Sequence, residues 1–226
     1  MHIQRLHEWS MSPGEARELQ SELARQVCLT PMGYRPLTVA GLDCALGRDG
    51  QRIFAAAVVV SLPGLEVVET AEAVIPLQFP YVPGLLSFRE APACLEACQR
   101  LRHTPDLFMV DGQGIAHPRR LGLAAHLGLF LGRPTIGCAK SRLVGIHQQP
   151  ASEKGKYCPL LDERTGEVIG AVVRTRTNVR PVYVSPGHEC SLADAIAWTL
   201  RCTTRYRLAE PIRLAHHMAG RVRAMT

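Results

Sequence analysis

The sequence predicts a mixed α/β fold: a sheet opened by three consecutive antiparallel strands and continued by alternating helix and strand, with helices on its faces. Three observations predict it. Strand-like runs at 37–45, 52–61 and 66–75 are joined by Asp49-Gly50 and Pro63-Gly64, which are hairpin-type turn signals. From Leu86 onward the pattern turns helical and then alternates between helix and strand. Two short apolar runs each end in a lone aspartate: Leu37 to Leu42 leads into Asp43, and Leu107 to Val110 into Asp111. Each reads as a buried strand delivering a carboxylate to a sheet edge, where it is costly to hold without a partner such as a metal ion.

Element by element, Ser12-Pro13-Gly14-Glu15 is a capping box with proline at the first helical position, so a helix should run from about Pro13 to Cys28. Pro31 and Gly33 break it before the three strands. Between Leu86 and Leu101 an apolar stripe of Phe88, Cys94, Leu95, Cys98 and Leu101 gives a second helix, in which Pro92 fits only the first turn. A strand at 106–111, a helix from about Arg119 to Leu131 and a strand from Thr135 to Cys138 complete the order βββαβαβ. That is the order of a ribonuclease H-like core, in which the fourth strand sits beside the first and brings Asp111 next to Asp43. Residues 141–166 read as polar and irregular. Residues 167–175 and 179–185 read as a hairpin turning at Thr177 and Asn178. Ser191 to Asp194 repeats the capping-box pattern and opens a helix to about Arg201, and a last helix covers Pro211 to Ala219.

With 226 residues and no long Gly/Ser- or Pro-rich linker, the chain is expected to form one domain over 1–226. Its longest apolar run, Ile53 to Val60, is far short of a bilayer span, and the N-terminus lacks a signal-peptide apolar region. A soluble, cytoplasmic protein without a membrane partner is the expectation. The formal charge of +6 and isoelectric point near 9.0 favour a polyanionic partner or a solvated basic surface. Eight cysteines include no CxxC pair, which favours reduced core thiols over disulfides or a zinc site.

Four segments hold residues that packing does not explain. Asp43 closes Gly41-Leu42-Asp43 as a candidate metal ligand, or as a turn aspartate capping its strand. If Asp43 and Asp111 lie side by side they can share a hard divalent cation, for which Mg²⁺ is the natural choice, with sites left open for phosphate and water. Pro80-Tyr81-Val82-Pro83 is a stiff, extended loop that holds Tyr81 out with little freedom, as an aromatic entering a base stack must be held; a pinned surface tyrosine is the alternative. Glu90 is a candidate third acid, although Ser87 to Glu90 also spells a capping box. After Asp111, Gly112 and Gly114 let the backbone turn and a substrate approach closely. Lys140 follows a core strand and can place its ammonium on a phosphate, or it is solvated. His188 and His216 are candidate proton-transfer groups, with structural roles as the alternative.

Taken together, GLDCA, PYVPGLLSFRE, DGQGIAHPRRLGLAAHLG and GCAKSRLVG resemble the endonuclease V family, over roughly residues 10–220 and in the family's order. The resemblance implies a ribonuclease H-like nuclease that acts in DNA repair. Its substrate would be DNA containing deoxyinosine, and it would hydrolyse the second phosphodiester bond 3′ to the lesion, leaving 3′-hydroxyl and 5′-phosphate ends. Asp43 and Asp111 resemble the metal-binding aspartates, Glu90 the active-site glutamate and Lys140 the active-site lysine. His216 falls where members differ. Pro80, Tyr81, Val82 and Pro83 resemble the strand-separating wedge, and Gly84, Leu86, Gly112, Gly122 and Gly137 fall where the pocket for the flipped base is built. Mg²⁺ is the expected cofactor, with Mn²⁺ as a substitute, and a monomer acting on DNA the expected state. An inosine-specific endoribonuclease and a non-catalytic nucleic-acid-binding module of the same fold are the rival readings.

Overall fold

Near-continuous burial along the first two strands requires that the sheet be covered on both faces. In the computed structural model, which describes residues 1–225, β1 (Thr38–Leu46), β2 (Arg52–Ser61) and β3 (Val67–Pro76) form the antiparallel opening. Further strands are β4 (Leu107–Val110), β5 (Thr135–Ala139), β6 (Tyr157–Leu161), β7 (Val168–Val173) and β8 (Val182–His188). They make one eight-stranded sheet in the order β3-β2-β1-β4-β5-β8-β7-β6. β1, β4 and β5 are parallel to one another, and β8, β7 and β6 continue antiparallel. The fourth strand therefore does lie beside the first.

The helices are α1 (Pro13–Leu23), α2 (Leu86–Gln99), α3 (Leu123–Leu131), α4 (Leu192–Arg201) and α5 (Glu210–Met225). Because strand side chains alternate between faces, Ala40 and Leu42 point to one layer with Ala91, Cys94, Leu127 and Phe130 of α2 and α3. Val39, Met109 and Ile136 point to the other, with Ile196 and Trp198 of α4 and Ile212 and Ala215 of α5. Two apolar layers thus sandwich the sheet.

Both capping boxes form as the sequence expects, at Ser12 with Glu15 and at Ser191 with Asp194. Other boundaries differ for physical reasons. α1 ends at Leu23, and a short tight turn at 24–26 then runs into extended chain. Pro92 sits inside α2 beyond its first turn, where its missing N–H leaves the Phe88 carbonyl without its helical donor. The Ser87–Glu90 capping box does not form, because the cap position is Leu85 and Ser87 lies within the helix, buried. α3 starts at Leu123 rather than Arg119, because the chain is irregular through Gly122 and Arg120 adopts a left-handed φ of 58°. The region 141–166 contains β6, an edge strand, where Pro159 is tolerated. α5 runs well past Ala219.

Candidate active site

Three neighbouring strands send polar groups to one side of the sheet. On β1, Val39, Gly41 and Asp43 share the α5-facing side; on β4, Leu107 and Met109 do, and Asp111 follows in phase; on β5, Ile136 and Cys138 do, and Lys140 follows in phase. Leu42 pairs with Val110 in register, and the Asp111 N–H donates to the Leu42 carbonyl at 3.1 Å. The two aspartates therefore end adjacent strands side by side. α5 lies across β1, held close by a glycine: a Cβ at Gly41 would sit 2.0 Å from the Pro211 carbonyl oxygen. That approach sets His216 over the strand end, with its Nδ1 2.6 Å from Asp43 Oδ2.

One ligand atom each from Asp43, Asp111 and His216 lie within 4.8 Å of one another. Lys140 Nζ donates to Asp111 Oδ2 at 2.5 Å. The Asp43 and Asp111 side chains are only 11% and 13% exposed, whereas those of Lys140 and His216 are open to solvent. Burial, and then the Asp111 charge, raise the Asp43 carboxyl above its ordinary value, while His216 and the Cys44 N–H pull the other way. Glu90, arriving from α2, is pushed up to about 8 by burial and then by the Asp43 and Asp111 charges. No described side chain donates to its carboxylate. Two desolvated aspartates side by side, with Glu90 near enough to feel their charge, are a set of oxygen donors that a hard divalent cation would neutralise, so their chemistry fits such an ion.

Beside the acids lies a cavity of about 160 Å³, lined by Tyr81, Val82, Pro83, Gly84, Leu86 and Gly122 among the residues picked out in the sequence. Tyr81 is 71% exposed, and the Arg89 guanidinium sits 5.8 Å from its ring centre. The loop is clamped at Gly84, whose carbonyl accepts from His117 Nε2–H at 3.0 Å and from Arg119 Nη2–H at 2.9 Å. Gly84 itself has a φ of 78°, which glycine adopts without strain. Pro80, Gly112 and Gly137 are outside the cavity wall. Gly137 serves the fold beneath it, because a Cβ there would lie 2.3 Å from the Gly114 nitrogen and 2.7 Å from the Gly112 carbonyl. His188 is turned to other work: its Nδ1 accepts the Cys28 N–H at 3.2 Å.

Ser87, Gln113 and His117 also line the cavity, and the sequence gives none of them a role in binding. The only local signal was His126, a lone imidazole in the apolar helix LAAHLGLFL, which is fully buried and bonded to Ser87. All eight cysteines are free, as expected. No helix among the described residues is long and apolar enough to cross a membrane.

Comparison with known proteins gives this geometry a family. The Endonuclease V family model matches residues 21–217. An endonuclease V from Alkalilimnicola ehrlichii is 53% identical over 219 residues, covering 96% of each chain. The crystal structure of the Bacillus subtilis endonuclease V superposes with a TM-score of 0.94 at 32% identity, covering 100% of this chain and 98% of that one. That of the Ciona intestinalis endonuclease V, in complex with a 24mer DNA containing an inosine followed by a ribo-adenosine, gives 0.82 at 25% identity, covering 94% and 98%. The matching run of motifs, the adjoining acidic strand ends and a full-length relative of this similarity establish that the chain belongs to the endonuclease V family.

Proposed function

We propose that this chain is a Mg²⁺-dependent, monomeric, cytoplasmic endonuclease of DNA repair, one domain in extent. It recognises deoxyinosine and hydrolyses the second phosphodiester bond on its 3′ side, leaving 3′-hydroxyl and 5′-phosphate ends. The observation that carries the reading is the convergence of Asp43, Asp111 and His216 within 4.8 Å, beside a small cavity flanked by the exposed Tyr81. The inosine-containing DNA bound by the Ciona intestinalis protein is consistent with it.

Asp43 and Asp111 would hold the cation, with His216 against Asp43 from above. When bound, Mg²⁺ supplies Lewis-acid polarisation of the phosphate and a water of lowered pKa. Glu90, held without a charged partner, is suited to accept a hydrogen bond from the attacking water and orient it in line with phosphorus. In the free protein Lys140 balances Asp111. With the acid charge offset, its mobile ammonium can turn to the non-bridging phosphate oxygens, where negative charge accumulates in the transition state. Tyr81, stiffened by the flanking prolines and by the Gly84 clamp, fills the gap left when the inosine swings into the cavity.

The test offers one inosine in end-labelled DNA, and the same sequence as RNA, with Mg²⁺, Mn²⁺ or EDTA, and maps every product end. A single metal-dependent cut at the second bond 3′ to inosine in DNA is expected. A preference for RNA would move the substrate to the endoribonuclease reading. Binding without cutting under any metal would leave only a binding module.

A further inference from the structure

The structure assigns Ser87 a part in choosing the base: we propose that Ser87 Oγ, in the wall of the cavity that Gln113 also lines, meets an extruded purine as a hydrogen-bond acceptor only. A purine carrying N1–H, as hypoxanthine does, is then held, and one with a bare N1, as adenine has, is turned away. The inference rests on the cavity being the base pocket of the proposed function.

The direction of the Ser87 hydroxyl follows from a chain of hydrogen bonds that begins at the N-terminal segment. His7 Nδ1 lies 2.8 Å from the Glu8 carbonyl oxygen, which can only accept, so Nδ1 carries a proton. Burial lowers the His7 pKa, and a neutral ring protonated at Nδ1 leaves Nε2 bare. His126 Nε2 is 2.8 Å from that bare nitrogen and must donate to it. His126 is fully buried, with its pKa lowered to about 3 by burial and then by His7, so it too is neutral and its Nδ1 is bare. Ser87 Oγ, 3.1 Å away, therefore donates its proton to His126 Nδ1 and keeps only lone pairs for the cavity. An aromatic shell seals the relay: Trp9 stacks on Phe130 at 5.1 Å, and the His126 ring lies 5.0 Å from that of Phe88.

The other polar side chains of the inner wall agree in sign. Gln113, only 8% exposed, donates from Nε2 to the Ser141 carbonyl at 3.0 Å, which fixes the amide and leaves Oε1 buried with no partner. A buried acceptor left unpaired is costly, and a ligand donor would satisfy it. His117 has no capacity left, because its Nδ1 accepts the Arg119 N–H and its Nε2–H donates to Gly84. Ser87 Oγ is therefore set against N1, where an acceptor pairs with the N1–H of hypoxanthine and meets a lone pair on adenine; at position 6 an acceptor would instead favour the adenine amino group. Guanine also carries N1–H, so this device separates inosine from adenosine and not from guanosine.

The experiment measures single-turnover cleavage with Mg²⁺ of single-stranded DNA carrying one deoxyinosine, deoxyadenosine or deoxyguanosine at the target position, which removes the cost of unpairing. Ser87→Ala is expected to lower the inosine-over-adenosine ratio about tenfold or more while leaving the inosine-over-guanosine ratio near that of the wild type. His7→Phe, at the outer end of the relay, should lower the first ratio in the same direction by freeing His126 to change tautomer. ¹⁵N shifts of His126 should show protonated Nε2 and bare Nδ1, and melting curves establish that both variants are folded. A wild-type inosine-over-adenosine ratio in folded Ser87→Ala, or His126 protonated at Nδ1, would overturn the proposal while the nuclease reading stands. Absence of inosine cleavage by the wild type would instead overturn that reading and this proposal with it.

Discussion

Two aspartates on adjacent strand ends carry different burdens from the lysine and the glutamate around them. Asp43→Ala or Asp111→Ala should reduce cleavage of inosine DNA by on the order of 10³-fold or more, with binding in a gel-shift assay largely kept, because the basic surface and the cavity supply affinity. Lys140→Ala should cost on the order of 10²-fold in kcat with little change in KM, since its ammonium acts on charge that develops in the transition state. Glu90 gives the pH dependence. Its carboxyl stands at about 8 in the metal-free protein against an ordinary 4.5, so between those values the folded state binds a proton that the unfolded state has released. Stability must then fall as pH rises through that window. Melting temperatures of metal-free protein should decline from pH 5 to pH 8, Glu90→Gln should flatten the decline, and Mg²⁺ should raise the melting temperature most at the upper end.

At the scale of elements, the site depends on how closely α5 approaches β1. Gly41 is the one residue of β1 on that side with no side chain, and a methyl group there meets the Pro211 backbone at 2.0 Å. Gly41→Ala must push the helix off the strand or bend it. A fall in melting temperature of about 5 °C or more is expected, together with weaker metal binding because His216 moves with α5. The wedge loop behaves differently, since Tyr81 is exposed and its truncation leaves the packing intact. Tyr81→Ala should therefore weaken binding to inosine sites more than to undamaged duplex at unchanged melting temperature; equal losses on both would make it a surface tyrosine.

Seen as a whole, the molecule is basic on one flank, where Lys140, Arg142, Arg180 and Arg207 line a cleft of about 590 Å³ next to the acids. Arg207 is committed to the carbonyls of Lys140 and Pro181, whereas Arg142 and Arg180 are exposed. Replacing both by alanine should reduce the slope of log affinity against log salt by about 2. Much of this arrangement is legible in the sequence, because a strand ending in a carboxylate is written in contiguous residues and the order βββαβαβ leaves few ways to pair them. Asp43 beside Asp111 follows from that order alone. What is not legible depends on contacts across the chain: His7 finds His126, and His126 finds Ser87, only after α2 and α3 have packed on the sheet. β6 is not legible because an edge strand with a proline lacks the strand signals that mark its neighbours. α3 begins later than the sequence suggests because Arg119 and Arg120 look helical in sequence yet are spent on Gly84, Gln20 and Asp162. The most direct measurement is a titration of Mn²⁺ into wild type, Asp43→Asn and Asp111→Asn, followed by the electron paramagnetic resonance of the free ion. Wild type should take up the ion and each variant should lose most of that affinity, whereas undiminished Mn²⁺ binding by both variants would contradict a shared cation between the two strand ends.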